Sequence, residues 1–124
     1  MYQLKVKAPP RIDTVATIDI YNKNNYDICG LNLICNKGHG DDEYIINVPN
    51  IKKKERVIIV FSTAIAGAYD TEIYLNYNDK DFSIAGLEKG YFGTSSKIQL
   101  DDENIDTLFY IIHHKGEEIW QIPH

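Results

Sequence analysis

The segment Gly86-Leu-Glu-Lys-Gly-Tyr-Phe-Gly-Thr-Ser-Ser-Lys97 brings glycines, serine and threonine hydroxyls and a lysine together, the residue types that cradle phosphate. Its spacing is wrong for that task. A Walker loop needs four residues between its glycines and Lys-Ser/Thr directly after the second. Here three residues separate Gly86 from Gly90, and Thr94-Ser95-Ser96 lies between Gly93 and Lys97. The dinucleotide fingerprint needs glycine steps of two and three, and these are four and three. The segment then runs into Ser96-Lys-Ile-Gln-Leu100, which alternates as a strand does, so no helix N-terminus follows to favour an anion. The expectation is a strand connection whose glycines permit positive φ. Its Tyr91 and Phe92 either plug one end of the fold or anchor a partner, because aromatics dominate interface energetics.

Other chemistry is weaker. The acidic runs His39-Gly-Asp-Asp-Glu43, Asn78-Asp-Lys-Asp81 and Asp101-Asp-Glu-Asn104 offer Asp41, Asp42, Asp79 and Asp81 as oxygen ligands for calcium, but none has the spacing of a calcium loop, and they read as solvated turns. Ser95 and Ser96 have no histidine near them in sequence, although His113 or His114 could approach in space. Cys29 and Cys35 would lie ~20 Å apart on one strand, too far to bridge, and no further soft ligands accompany them for zinc. Both are expected to be buried thiols. Neither a metal nor a cofactor is expected.

The elements that would position these residues have a period of two. Ile18 and Ile20 alternate with Thr17 and Asp19; Cys29, Leu31, Leu33 and Cys35 form one apolar face; Ile73, Leu75 and Tyr77 oppose Glu72 and Asn76. Arg56-Val-Ile-Ile-Val-Phe61 is apolar on both faces and reads as a central strand buried on both sides. Turn clusters at Asn22–Asn25, Asn36–Gly40, Asn78–Asp81, Asp101–Asn104 and Lys115-Gly116 recur every ~10–15 residues, the spacing of an all-β sandwich. Thr63–Ala68 and Glu103–Leu108 are each compatible with a single helical turn. If Lys115-Gly116 is a two-residue loop, His114 pairs with Glu117, His113 with Glu118 and Ile111 with Trp120, and Phe109, Ile111, Trp120 and Ile122 share a face that should be buried. His113 beside Glu118 then reads as a cross-strand ion pair rather than a catalytic dyad.

The cadence of Ile18-Asp-Ile-Tyr-Asn-Lys-Asn-Asn25, Gly30-Leu-Asn-Leu33, Val48-Pro-Asn-Ile-Lys-Lys-Lys-Glu-Arg-Val-Ile-Ile-Val-Phe61 and Gly67-Ala-Tyr-Asp-Thr-Glu-Ile-Tyr-Leu75 resembles bacterial immunoglobulin-like modules of the cell-adhesion-related type. Those modules run strand, Asn-rich turn, strand, then a leucine–proline–glycine–glutamate turn into a buried strand, and a glycine–x–tyrosine lead into the next. The likeness covers about residues 9–77. It departs at Lys53-Lys54, where the family has Pro-Gly, and it leaves residues 82–122 to be explained as added strands. The resemblance implies a β-sandwich used for binding and transfers no catalytic residue.

Bulk properties agree. A chain of 124 residues suffices for one domain with its own core. A net charge of −5 argues against general affinity for nucleic acid or anionic membrane, and no stretch approaches the ~20 apolar residues of a membrane span. The basic run Lys52-Lys53-Lys54 reads as a solvated turn. No signal-like segment opens the chain, which points to the cytoplasm, or to the cell exterior for an excised module. Abundant Ile, Asn, Lys and Tyr suit AT-rich coding DNA, as in a low-GC bacterium or its phage. Nine tyrosines exceed what the core needs, so some, Tyr74 among them, should lie on an exposed sheet face.

The expected architecture is a single all-β domain over residues 1–124, an immunoglobulin-like antiparallel β-sandwich of 7–10 strands ending in a hairpin at about 107–122. The expected function is non-catalytic protein binding, in the form of a phage-encoded or immunity-type inhibitor of one target. Tyr91, Phe92, Lys97 and Tyr74 would form its binding surface. The alternative is a structural or adhesive virion or cell-surface module binding glycan or calcium; the third reading is a small hydrolase.

Overall fold

The computed structural model describes residues 2–6, 14–63, 71–87, 93–102, 104–114 and 117–121, with side chains at 16–61, 72–86, 94–102, 104 and 105. Ten strands follow one another: β1 (Tyr2–Val6), β2 (Thr14–Asn22), β3 (Asn32–Cys35), β4 (Tyr44–Asn47), β5 (Arg56–Thr63), β6 (Thr71–Tyr77), β7 (Lys80–Leu87), β8 (Gly93–Asp101), β9 (Asn104–His114) and β10 (Glu117–Gln121). A short 3₁₀ turn at Gly40–Asp42 is the one helical element among the described residues. The strands form a six-stranded sheet, β1-β5-β2-β8-β9-β10, and a four-stranded sheet, β4-β3-β6-β7. The all-β sandwich is therefore as the alternation predicts.

The inner faces supply the core. Ile18 and Ile20 of β2, Val57, Ile59 and Phe61 of β5, and Ile98 and Leu100 of β8 meet Leu33 and Cys35 of β3, Ile46 of β4, Ile73 and Leu75 of β6, and Ile84 and Ala85 of β7. The intervening residues Thr17, Asp19, Ile34, Tyr74, Lys97 and Gln99 are only half-buried, the signature of sheets with one face inward.

Several expectations are corrected. The six-stranded sheet is mixed, since β1 runs parallel to β5 and β2 parallel to β8; only the four-stranded sheet is wholly antiparallel. Strand β5 is central, but it is fully buried only at Val57, Ile59 and Phe61, while Ile58 and Val60 are half-buried. It is hydrogen-bonded along both edges yet covered by the second sheet on one side alone. Strand β3 begins at Asn32, after Gly30 at φ 78 has broken the alternation, so Cys29 is exposed and Cys35 alone is buried. Residues Asn104 to Leu108 belong to β9 rather than to a helical turn, because pairing with β8 across the tight connection at Asp102 overrides the local pattern. Thr63 closes β5, and the rest of the other candidate helical turn lies outside the described residues. The C-terminal hairpin has the expected register, His114 with Glu117, His113 with Glu118 and Ile111 with Trp120. Its loop, Ile122 and its side chains lie outside the described residues, and so does the ion pair expected of His113.

Two buried polar arrangements lock the sheets. At the end of β2, Asn22 is fully buried, and its Nδ2 donates to the carbonyls of Tyr26 (2.8 Å), Ile51 (3.0 Å) and Lys52 (3.2 Å), while its Oδ1 accepts from the Asn24 N–H (2.9 Å). Asn24, also buried, accepts from the Asp102 N–H at 2.6 Å and donates to the Leu100 carbonyl at 3.5 Å. Turns 22–26, 51–55 and 100–102 are thereby held together. The second arrangement bridges the layers. A bulge in β7 takes Ile84 out of register between Ser83 and Ala85, and its carbonyl accepts from the buried Ser96 hydroxyl of β8 at 2.6 Å. A bulge that frees a carbonyl inside the core needs such a donor.

The asparagine cluster generates the first prediction. Asn22→Asp keeps the shape but turns a donor toward three carbonyls into an acceptor. It should lower unfolding free energy by about 3 kcal/mol or more at neutral pH, measured by urea denaturation. A loss below about 1 kcal/mol would mean that the turns are held by other contacts.

Candidate functional site

The sequence candidates separate in space. Tyr74 lies on the outer face of the four-stranded sheet. Lys97 lies half-buried on the outer face of the other sheet, in register between Asp19 and Phe109. The two are on opposite sides of the sandwich and cannot form one surface. Tyr91 and Phe92 lie outside the described residues. Gly93–Asp101 is strand, so the glycine segment leads into β8, not into a helix.

The face around Tyr74 is built in rows. Register places Ile45, Ile34, Tyr74 and Ser83 side by side across β4, β3, β6 and β7, and Asn47, Asn32, Asn76 and Asp81 in the next row. Ile45 is 60% exposed, the most exposed large aliphatic among the described residues, and it stands on the edge strand β4. Tyr74 is half-buried rather than open, because the loop after β3 folds over it. That loop is turned by Asn36, buried at φ 57, whose Nδ2 donates to the Asp42 carbonyl at 3.1 Å; the Gly38 N–H donates to Glu43 Oε2 at 2.8 Å. The turn brings the Lys37 ammonium over the Tyr74 ring, 5.2 Å from its centroid, and into an ion pair with Asp81.

The same groups hold one another electrostatically. Asn76 Nδ2 donates to Asp81 Oδ1 at 2.8 Å, and the Ser83 hydroxyl to Glu72 Oε2 at 2.7 Å. The hydrogen bond from Lys37, then that from Asn76, holds the Asp81 carboxyl below its ordinary range. The Lys37 ammonium is raised chiefly by its bond to Asp81, and the Tyr74 phenol chiefly by its bond to Glu72. Neither Lys37 nor Ile45 stood out in the sequence. Lys37 is two residues past a strand end, and nothing local shows that its loop turns back. Ile45 sits beside Ile46, a pair whose outward member the alternation leaves undecided.

The remaining candidates are committed elsewhere or dispersed. Asp41 and Asp42 lie in the 3₁₀ turn and Asp79 in the β6–β7 turn at φ 61. Among the described residues no group of three His, Cys, Asp or Glu side chains is placed to hold a metal. The Ser96 hydroxyl is spent on Ile84. On the opposite face Arg56 pairs with Asp19 at 2.8 Å and stacks over Tyr21 at 5.5 Å, beside a groove of about 310 Å³ bounded by Pro49, Lys52 and Val57. Cys35 is buried, and although the Tyr44 hydroxyl donates to its sulfur, burial pushes the thiol from 9.0 to about 12. Burial likewise raises the Tyr44 phenol, with the neighbouring Cys35 adding to it. A thiol so placed supplies no thiolate at neutral pH.

Comparison with known protein families finds no match, and no curated protein matches the chain.

The Cys35 thiol carries a pH signature. Its folded-state pKa is raised, so the stability it contributes is complete below about 9, where the unfolded thiol ionises, and is lost as pH rises toward about 12. Over that window the native chain should lose about 1 kcal/mol per pH unit more than Cys35→Ala, measured by denaturation at successive alkaline pH values. Parallel pH profiles would contradict the burial of the thiol.

Proposed function

We propose that the chain is a non-catalytic protein-binding module on an immunoglobulin-like sandwich, an inhibitor of a single protein target, with the outer face of the four-stranded sheet as its working surface. Ile45 carries this reading. A large aliphatic side chain 60% exposed, in one row with Ile34 and Tyr74 and on an edge strand, has no role in the core. It is the kind of apolar centre, ringed by asparagines and charges, that forms the middle of a protein interface. The burial of Cys35 and the commitment of Ser96 favour binding over hydrolysis.

The immunoglobulin-like resemblance departs from the family at Lys53-Lys54. Lys54 stands where the family has glycine, and it adopts φ 58 within a turn closed by the Glu55 N–H donating to the Lys52 carbonyl at 3.0 Å. Lys53 stands where the family has proline, and its N–H donates to Asp27 Oδ1 at 2.9 Å, a bond that proline would lose.

The reading predicts that the chain captures one protein from a low-GC bacterial lysate at equal stoichiometry, and that Ile45→Asp weakens the purified complex about tenfold or more while shifting stability by less than about 0.5 kcal/mol. Titration calorimetry on native chain, Ile45→Asp and Tyr91→Ala/Phe92→Ala separates the outcomes. Equal affinity for native and Ile45→Asp, with loss in the aromatic pair, would move the surface to the 88–92 segment. Retention of a glycan and of no protein would favour an adhesive module.

A further inference from the structure

Tyr74 and Asp81 make a seat for a cation, and the chain fills it with its own lysine. The ring of Tyr74 forms the floor and the Asp81 carboxylate one wall, with the Lys37 ammonium between them. The seat does not depend on its occupant. Asp81 is fixed by Asn76 at 2.8 Å, the Tyr74 phenol is held by Glu72, and all four residues belong to β6 and β7. The occupant does not hold its own loop together either. Loop 36–43 is braced by Asn36 on the Asp42 carbonyl and by the Gly38 N–H on Glu43, bonds in which the Lys37 side chain has no part. The Lys37 side chain is 44% exposed, so its ion pair is of the solvent-screened kind that exchanges at little cost.

We propose that this seat is the docking point for a basic side chain of the protein partner, and that Lys37 is a built-in competitor which the partner displaces. The inference rests on the proposed protein-binding function and adds the chemistry of the partner. Charge favours a basic occupant: Asp41, Asp42, Glu43, Glu72, Asp79 and Asp81 surround this sheet against Lys37 and Lys80, and they account for most of the net charge of −5. An arginine fits the seat better than the resident lysine, since a planar guanidinium both stacks on a ring and meets a carboxylate in bidentate fashion. The neighbouring Ile34 and Ile45 supply apolar area beside it.

The test uses a short Gly/Arg peptide capped at both ends, with a Gly/Glu peptide as control, titrated at low ionic strength into the native chain, Lys37→Gln and Lys80→Gln. Both variants remove one positive charge from the same region, but only the first opens the seat. Lys37→Gln should bind the arginine peptide about fivefold more tightly than native, and Lys80→Gln less than about twofold. Adding Tyr74→Leu to Lys37→Gln should remove the gain. Equal gains in the two lysine variants, or no binding by Lys37→Gln, would overturn the proposal. Its failure is distinct from that of the binding face: a captured partner that is weakened by Ile45→Asp but indifferent to Lys37→Gln leaves the face standing and removes only the cation seat.

Discussion

Asn22 is the constraint on which the sandwich depends. A strand that ends on a fully buried amide must find partners for it, and Asn22 finds them in carbonyls of the turns 22–26 and 51–55. Through Asn24 the same end of β2 reaches the 100–102 turn. Three connections far apart in sequence are thereby fixed relative to one another by two side chains in low dielectric, where an amide left without partners is costly. The turns fix where β2, β5 and β8 sit, and those three strands supply the inner face against which the other sheet packs. The Ile28–Ile51 bridge extends the clamp to the segment that leads into β3.

Among the described residues the second sheet is tied to this framework by apolar burial and by the Ser96 hydroxyl. Ser96 reaches across the sandwich to the bulged Ile84, so β7 is held by a directional bond as well as by packing. Such a contact contributes about 1 kcal/mol, and leaving the carbonyl bare would cost more. With its inner side fixed, the four-stranded sheet has its outer face pre-organised, and pre-organisation lowers the ordering cost of binding. That face holds the exposed Ile45 and the self-occupied seat at Tyr74.

What was legible in the sequence was whatever local chemistry determines. The alternation of Ile18 with Ile20, Ile73 with Leu75 and Ile98 with Leu100 located strands and their inner faces, and these residues are buried. The hairpin register at His113 and Glu118 followed from the length of its loop. What escaped depends on chain segments meeting. Asn22 and Asn36 look like ordinary turn residues, because the segments that bury them arrive from elsewhere in the chain. The parallel pairing of β2 with β8 joins residues 78 apart, a separation at which no local pattern survives. Cys29 is exposed against the alternation because a positive-φ glycine ends the pattern one residue beyond it. Tyr74 lies on the outer face that the alternation assigns it, but half-buried rather than exposed, because the fold of a loop brings Lys37 over its ring.

The proposed recognition surface lies on one side of an asymmetric sandwich, away from Lys97 and the six-stranded sheet. Amide hydrogen exchange of the free chain against its complex with the captured partner tests that placement most directly. Recognition on this face should slow exchange along Asn32–Cys35, Tyr44–Asn47 and the loop at Lys37, with β2, β5 and β8 unchanged. Slowed exchange concentrated instead in Gly93–Asp101 and Asn104–His114, with β3 and β4 unchanged, would contradict it.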